Sequence, residues 1–563
     1  SAGVTLAEVE AKRAAKGRLD RALAPLRIVA AAWAGGVMLG PQGCDDAAYA
    51  RLVRTVGEIR ELPPRLDDQP RLLAMIARGL GVEAMPTAPE DLLALATSGG
   101  SIPALPYEFA FAEVFFPLGV LASRSGFDAD VSNPPWDAIQ FKSKEFFAAF
   151  DFEILKSPTK LERAVIERRV LADEQCRHLF DHQVESFEQQ KRANEALYEY
   201  QKVEVEGDLA GRQVDAFRVF MERNAQLLSP TGTTGVVVPS AFHANEGATG
   251  IRRLYLEQMR LRCCYSFENR RKLFEIDSRF KFALVVAARG GPTSEFPCAF
   301  YLHDDEWLYR EHGGLALSLD LIRAFDPAYL TLPEFTDQRS LPVFRQMYEH
   351  AVPLRQLFSQ VNLRLKRELT DRESEDVVVS GTPAVRSWSE LDSGADDLRV
   401  AIPVIKGEDV FQFTDRYTGK PYGAISTRRV GHVLARQQGI AYFRAVLRKI
   451  ASSTNERTVV AALITPGFLC HESIQVDVVP AGRPYIWSLV WVAVANSYSF
   501  DWAARQLVGA NLNLFIVERL PFACRGKDRA FLAHGALRLV SNHERFKRLW
   551  HEQVGEAWRE PKP

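Results

Sequence analysis

The sequence predicts an α/β fold, with a helical segment before the sheet and a mixed α+β domain after it. Three observations carry that expectation. Apolar strand-like runs, Gly235–Pro239 (GVVVP) and Phe280–Ala287 (FKFALVVA), alternate with helical stretches, as in a sheet covered by helices. Ahead of them, residues 5 to 97 carry Ala, Leu, Arg and Glu at helical spacing with no strand alternation. Beyond Gly290 the texture shifts to short strands, a Pro-interrupted helical stretch and many aromatics.

In chain order, the first helices are expected to break at Pro41–Gly43, Pro63–Pro64 and Pro86–Pro89, where proline removes a donor and crowds the preceding turn. Ser98–Pro106 is a Gly/Ser/Pro loop, followed by the aromatic segment Tyr107–Pro117. Phe127–Ser132 is short and bounded by Gly126 and Asn133–Pro134–Pro135, which predicts a buried strand stopping at a functional loop. Residues 142–202 are charged and helix-favouring with a break at Ser157–Pro158, and read as a solvated pair of helices. An amphipathic helix over 213–228 leads to a turn at Ser229–Gly232 and the apolar strand Gly235–Pro239. Helix 247–259, strand 261–267, a loop carrying Asn269–Ile276 and strand 280–287 follow. The domain boundaries implied are 1–106, 107–292, 293–395 as a connector with a polar loop near Asp371–Ser393, 396–525 as a recognition-type domain, and 526–563 as a helical end.

Composition bounds the function. A chain of 563 residues, 47% hydrophobic and 25% charged, has the makings of several ordinary globular domains. A net charge of −1 excludes a uniformly basic nucleic-acid coat but allows a basic cleft. The seven cysteines form no CxxC pair, so neither a zinc knuckle nor a disulfide framework is expected. The adjacent Cys263 and Cys264 read as core packing in a reducing cytoplasm. The most apolar stretches, Ile28–Leu39 and Ile486–Ala495, are too short to span a bilayer, and no signal peptide opens the chain.

The chemistry concentrates at Asn133–Pro134–Pro135–Trp136. Methylating an exocyclic amine on a base poses two problems: the amine lone pair is delocalised into the ring, and the base is stacked in a duplex. Flipping the base out solves the second, and an aromatic face offsets part of the unstacking cost. Acceptors solve the first by holding both amine hydrogens and localising the lone pair. Asn133 has a side-chain acceptor, Pro134 a carbonyl without a competing N–H of its own, Pro135 stiffness and Trp136 a platform.

The stretch Tyr107–Trp136 resembles the large adenine-N6 methyltransferases of restriction–modification and phage-defence systems. These include the fused restriction–methylation enzymes of the Eco57I type and the methylases of the BREX and DISARM systems. Further segments resemble the same family in the same order: Gly207–Asn224, Gly235–Phe242, Phe267–Phe282, Ile402–Phe413, Ile450–Pro466 and Asn511–Pro521. The resemblance implies part of a Rossmann-like methyltransferase sheet over 107–292, a target-recognition domain over 396–525, and a helical segment inserted before the catalytic strand. It implies sequence-specific DNA adenine-N6 methylation with S-adenosylmethionine, on double-stranded DNA, alongside other subunits of a restriction or defence system in some members.

Roles follow by position in that resemblance. Asn133, Pro134, Pro135 and Trp136 are the catalytic candidates, and Phe280 and Phe282 are candidates for the base pocket. Arg279, Lys281, Lys406 and Gly407 are candidates for DNA contact, and Arg448, Asn455 and Arg457 for either DNA contact or a bridge between domains.

The chain departs from the family in one respect. A strand followed by a Gly-rich loop for S-adenosylmethionine, and an acid for its ribose, are not found. Gly35–Gly36 lies in a helical run and Ser98–Gly99–Gly100 follows a helix. Because those motifs precede the catalytic loop in the family, and the chain opens without methionine in a helical run, it is expected to be the C-terminal part of a larger protein and inactive alone. Acid-x-Lys elements occur only at Glu10–Lys12 and Glu560–Lys562, and no Walker loop or His-metal cluster is visible. Nuclease or motor activity is therefore expected upstream or in a partner. The alternatives are a fused restriction–methylation enzyme and a recognition or defence module that does not methylate.

Overall fold

The structure, a computed structural model, describes residues 5–39, 107–117, 125–157, 160–211, 213–310, 314–370, 373–374, 377–379, 401–418, 422–426, 438–451, 455–507, 512–524 and 526–554, with scattered positions between 47 and 57. The three expected proline breaks, the Ser98–Pro106 loop, most of the polar loop near Asp371–Ser393, and Glu560–Lys562 lie outside the described residues. Two compact units make up the chain, Ser1–Gly313 and Gly314–Pro563.

The first unit is α/β. Its strands are β1 (Phe127–Ser132), β2 (Val203–Val205), β3 (Asp208–Ala210), β4 (Leu228–Pro239), β5 (Met259–Glu268), β6 (Lys281–Arg289) and β7 (Glu295–Leu302). The sheet runs β1–β4–β6–β5–β7, while β2 and β3 form a separate hairpin. β1 is parallel to β4 and β5 to β7, whereas β6 runs antiparallel to both neighbours. β7 brings the unit past the boundary expected at 292, because Glu295–Leu302 extends the same sheet.

Three expectations change. β1 is not a buried strand: among the described residues it pairs with β4 alone, and Val131 is 87% exposed. Its apolar anchor is Phe127, whose ring meets Phe111 and Phe115 edge-on, so the segment Tyr107–Pro117 packs beneath the start of the strand. Second, Ser229–Gly232 is not a free turn. It is an irregularity within β4, where Phe127 pairs with Leu228 but Ala129 with Thr233. Gly126, at φ +122°, lets β1 approach there, since a Cβ would lie 2.5 Å from the Ser229 amide nitrogen. Third, the charged stretch 142–202 is not a pair of solvated helices. Ser143–Ala148, Glu153–Lys156, Lys160–Val170 and Glu174–Leu197 form a group in which Phe146, Phe147, Ile154, Ile166 and Val170 make a core of their own.

Helix Leu6–Leu39 precedes the sheet and includes Gly35–Gly36, as its helical spacing predicts. Helix Ala216–Leu227 leads into β4 and buries Phe217, Met221 and Leu227 on its apolar side. Cys264 is fully buried in β5 and Cys263 half-buried.

The second unit is a mixed α+β body. One antiparallel sheet orders strands Leu365–Lys366, Ile474–Asp477, Arg444–Arg448 and Ala461–Ile464; another orders Val378–Val379, Gly423–Ser426, Ala401–Ile405 and Leu469–Cys470. Val446, Ala462, Ile464, Phe468 and Val476 fill the core of the first, and Ile402, Val404, Ile425 and Leu469 that of the second. Helix Tyr485–Ala495 packs against Arg529–Val540, which explains why its sequence is apolar around its whole girth. Among the described residues no helix is long and apolar enough to cross a membrane.

Candidate base-binding site at the sheet's carboxyl edge

β1 ends at Ser132, and the chain turns through Asn133–Trp136 just where β4 and β5 also end. Pairing across the sheet sets Pro239 beside Phe282 and Phe282 beside Phe267, so that one rim of three strands carries two phenylalanines. The Phe267 and Phe282 rings stack 5.3 Å apart at 9°. Trp136 folds back over this rim: its indole N–H donates to the Val237 carbonyl at 3.3 Å, and its ring lies 6.2 Å from Phe282 at 26°. Phe274 closes the corner edge-on, 5.8 Å from Trp136 and 4.8 Å from Phe282. Aromatic rings in offset and edge-on arrangements like these form a rigid apolar wall.

The loop itself is held at both ends. Pro134 is buried, whereas Asn133 and Pro135 are exposed. Downstream, the Ala216 amide donates to the Asp137 carbonyl at 2.9 Å and the Ile139 amide to the Val214 carbonyl at 2.8 Å, tying the loop to the start of helix Ala216–Leu227. Upstream, the Asn224 amide donates to Ser132 Oγ at 2.9 Å, and the Thr234 hydroxyl to Asp130 Oδ2 at 2.9 Å. Burial pushes the Asp130 carboxyl above its ordinary value, against the lowering effect of hydrogen bonds from Thr234, Ser132 and Asn224. The Asn133 amide makes no hydrogen bond to a described residue and is open to solvent.

The other predicted residues fall in different places. Phe282 is 3% exposed and joins the corner, whereas Phe280 is 55% exposed and stands outside it. Arg279 projects into solvent and forms a two-pronged pair with Asp277, at 3.0 and 2.8 Å. That pairing and the Arg279 amide hold the Asp277 carboxyl down at about 2. Lys281 rests on the Tyr301 ring, 4.0 Å from its centre. In the second unit, Lys406 lies 4.6 Å over the Tyr422 ring and 3.7 Å from Glu408. Gly407 is buried, its amide donating to Ser473 Oγ at 3.0 Å, in a turn also closed by Asp409 accepting from the Lys406 amide at 2.9 Å. Arg457 is buried within the second unit against Asp501 and the Asn496 carbonyl, while Asn455 is exposed and Arg448 half-buried.

No family model matches the chain, and no curated protein matches it. Several solved structures do. A type IIL restriction-modification enzyme, MmeI, in complex with DNA aligns at 9% identity over 86% of this chain, with a TM-score of 0.34. A DrdV–DNA complex aligns at 12% identity over 86%, with a TM-score of 0.32. The M protein of the type I restriction enzyme EcoKI aligns at 14% identity over 39%, with a TM-score of 0.14. The chain spans 60%, 50% and 36% of those chains, respectively. Likeness at this level carries nothing about chemistry, which rests on the residues themselves.

Sequence reasoning missed two residues here, Phe274 and Asn269. Phe274 is the lone aromatic inside the charged stretch Arg270–Arg279, a pattern that marks a ring held on a loop for contact rather than for a core. Asn269 directly follows a strand, where a short amide side chain is well placed to organise a turn.

The residues also bear on a methyl donor. β1 ends in Asn133–Trp136, β4 in Ser240 and the short helix Ala241–Ala244, and β5 in the loop 269–280. Among the described residues, none of these exits is a glycine-rich turn able to take the methionine end of S-adenosylmethionine on backbone amides. The described residues therefore do not fit a complete donor site. They supply an aromatic wall and, at Asn133, an exposed amide. Among the described residues no cluster of His, Cys, Asp or Glu could hold a metal ion.

Proposed function

We propose that this chain carries the acceptor half of a DNA adenine-N6 methylation site, in which a flipped adenine lies against Trp136 with its amine at Asn133. The observation that carries this reading is an exposed Asn133 amide, without a hydrogen bond among the described residues, on the same loop as Trp136, whose ring joins Phe274 and Phe282 in an aromatic corner.

Each part answers a requirement of the chemistry. The N6 amine is a weak nucleophile because its lone pair is spread over the ring. The Asn133 side-chain oxygen and the Pro134 carbonyl accept its two hydrogens, which pulls the nitrogen toward a tetrahedral, nucleophilic form. The Pro134 carbonyl is set by the restricted loop before the base arrives, while the exposed Asn133 side chain keeps its oxygen available to the amine as positive charge develops on nitrogen. Pro134 and Pro135 restrict the backbone. The Trp136 face repays part of the unstacking cost, with base–aromatic stacking contributing about 1–3 kcal/mol. Donor chemistry belongs to S-adenosylmethionine in the family the sequence resembles, and no step through it is assigned to the described residues.

Within this reading the substrate is double-stranded DNA. Arg279, which pairs with Asp277, and Lys281, which rests on the Tyr301 ring, are the proposed phosphate contacts of the first unit, while Lys406 belongs to the second unit, whose proposed role is target recognition. Gly407 is buried and serves the turn beside Lys406. Transfer of labelled methyl from S-adenosylmethionine to DNA, catalysed by the natural full-length protein, tests the reading. Asn133→Ala is expected to lower the rate by about a hundredfold or more, and this chain alone is expected to be inactive. Robust transfer by the isolated chain, or an active Asn133→Ala, would sink the proposal.

A further inference from the structure

β5 and β6 form a hairpin whose last pair is Glu268 and Lys281, and the loop between them, residues 269–280, carries Phe274 to Trp136. Little burial holds this loop in shape. From Arg270 to Phe280 every residue is exposed except the half-buried Phe274. Lys272 adopts a left-handed backbone, φ +52°, which a lysine does not favour. A loop with so few buried contacts belongs to the low-stability end of a fold unless something specific holds it.

Asn269 is what holds it. Its side chain is fully buried and reaches into the loop rather than the sheet. Nδ2 donates to the carbonyls of Phe274 at 2.9 Å, Ile276 at 3.0 Å and Asp277 at 3.4 Å. Oδ1 accepts from the Phe274 amide at 3.0 Å. The Asn269 backbone closes the loop by donating to the Phe280 carbonyl at 2.9 Å. Phe274 is thus gripped by both its amide and its carbonyl from one side chain, and its ring is delivered edge-on to Trp136 and Phe282.

We infer that Asn269 is a positioning residue that presets the loop 269–280, so that Phe274 stands ready as the third wall of the base pocket. The inference rests on the reading of that pocket given above. Asn269 touches neither base nor donor; it acts through Phe274. No other residue type has both a donor and an acceptor at this length in this geometry. Aspartate keeps the bond from the Phe274 amide but loses all three donated ones, and alanine loses all four.

The test uses the full chain. Peptide-level hydrogen exchange is measured on wild type, Asn269→Ala and Asn269→Asp. The fluorine spectrum of fluorotryptophan-labelled protein is recorded in parallel, with the Trp136 signal assigned by Trp136→Phe. Asn269→Ala is expected to speed exchange across 270–280 by about tenfold or more, leave β4 and β5 unchanged, and shift the Trp136 signal toward its position in Phe274→Ala. Asn269→Asp should fall between. An unmoved Trp136 signal, or exchange raised equally through β5 and β6, overturns the inference. Methylation by the natural full-length protein separates it from the pocket reading. Loss with Asn133→Ala but not with Asn269→Ala removes the positioning role. Indifference to both, with the exchange and fluorine responses intact, leaves the latch standing and removes the pocket reading.

Discussion

The indole N–H of Trp136 donates to the main-chain carbonyl of Val237, 101 residues further along the chain, and this bond fixes the plane of the ring over the sheet's rim. The carbonyl belongs to β4, whose register with β1 sets Ser132 beside Val236. The platform is therefore indexed to the strand pairing and not only to its own loop. Trp136→Phe keeps a ring but removes the donor, and should cost about 1 kcal/mol of stability with partial activity. Trp136→Ala removes the face as well, and should lower methyl transfer at limiting DNA by a further tenfold to roughly a hundredfold. Equal rates for the two variants would mean that the ring is not a platform.

Asp130 lies two residues before Ser132, and burial raises its carboxyl pKa. The native state then holds this proton more tightly than the unfolded chain, whose value is near 3.8. Stability from this group is greatest below that value and is lost as pH rises through the raised native pKa. Asp130→Asn keeps an acceptor for Thr234 and removes the charge. Its urea midpoint should rise relative to wild type at neutral pH and match it below pH 3.8. An equal gain at both pH values would contradict the assignment.

Gly250 opens a close approach in the first unit. A Cβ there would lie 2.0 Å from the Tyr200 carbonyl oxygen, a backbone atom that cannot swing away. Gly250→Ala should destabilise by about 1–3 kcal/mol, read as a lower denaturation midpoint.

In the second unit, Arg444 and Glu368 are both buried, with Nη1 and Oε1 2.6 Å apart, and the other Glu368 oxygen accepts from the Cys470 amide at 2.8 Å. Removing one partner strands the other charge. Glu368→Gln should therefore cost about 3–5 kcal/mol and speed hydrogen exchange in strands Arg444–Arg448 and Leu469–Cys470. Unchanged exchange there would show that the pair is dispensable.

Much of this was legible in the sequence, for identifiable reasons. The run FDADVS between Gly126 and Asn133–Pro134 marked β1 at its observed ends through its punctuation, and the valine-rich runs VVV and ALVV marked β4 and β6 through their composition. Burial was less legible. β1 pairs on one side only among the described residues, a property of tertiary pairing that its own apolar residues do not encode. The charged stretch 142–202 hid a phenylalanine-rich core, because helices that cover one another carry few apolar residues per turn and the charges dominate the count. At the site, Trp136 and Phe282 were legible as chemistry-bearing types, and the structure brings them together. Phe280 and Phe282 are two residues apart and would share a face of one continuous strand, but β6 begins only at Lys281, so Phe280 belongs to the exposed loop while Phe282 lies within the sheet. Gly407 and Arg457 looked available because glycine and arginine serve contact and scaffold equally well. Only their partners, Ser473 and Asp501, decide which.

The central claim is that Asn133 and the aromatic corner present adenine N6 for methylation. Mass spectrometry of bases in DNA from cells carrying the natural full-length protein tests it most directly. The account predicts N6-methyladenine with the wild type and its disappearance with Asn133→Ala at unchanged protein abundance. N6-methyladenine persisting in the variant, or N4-methylcytosine appearing in its place with the wild type, would contradict it.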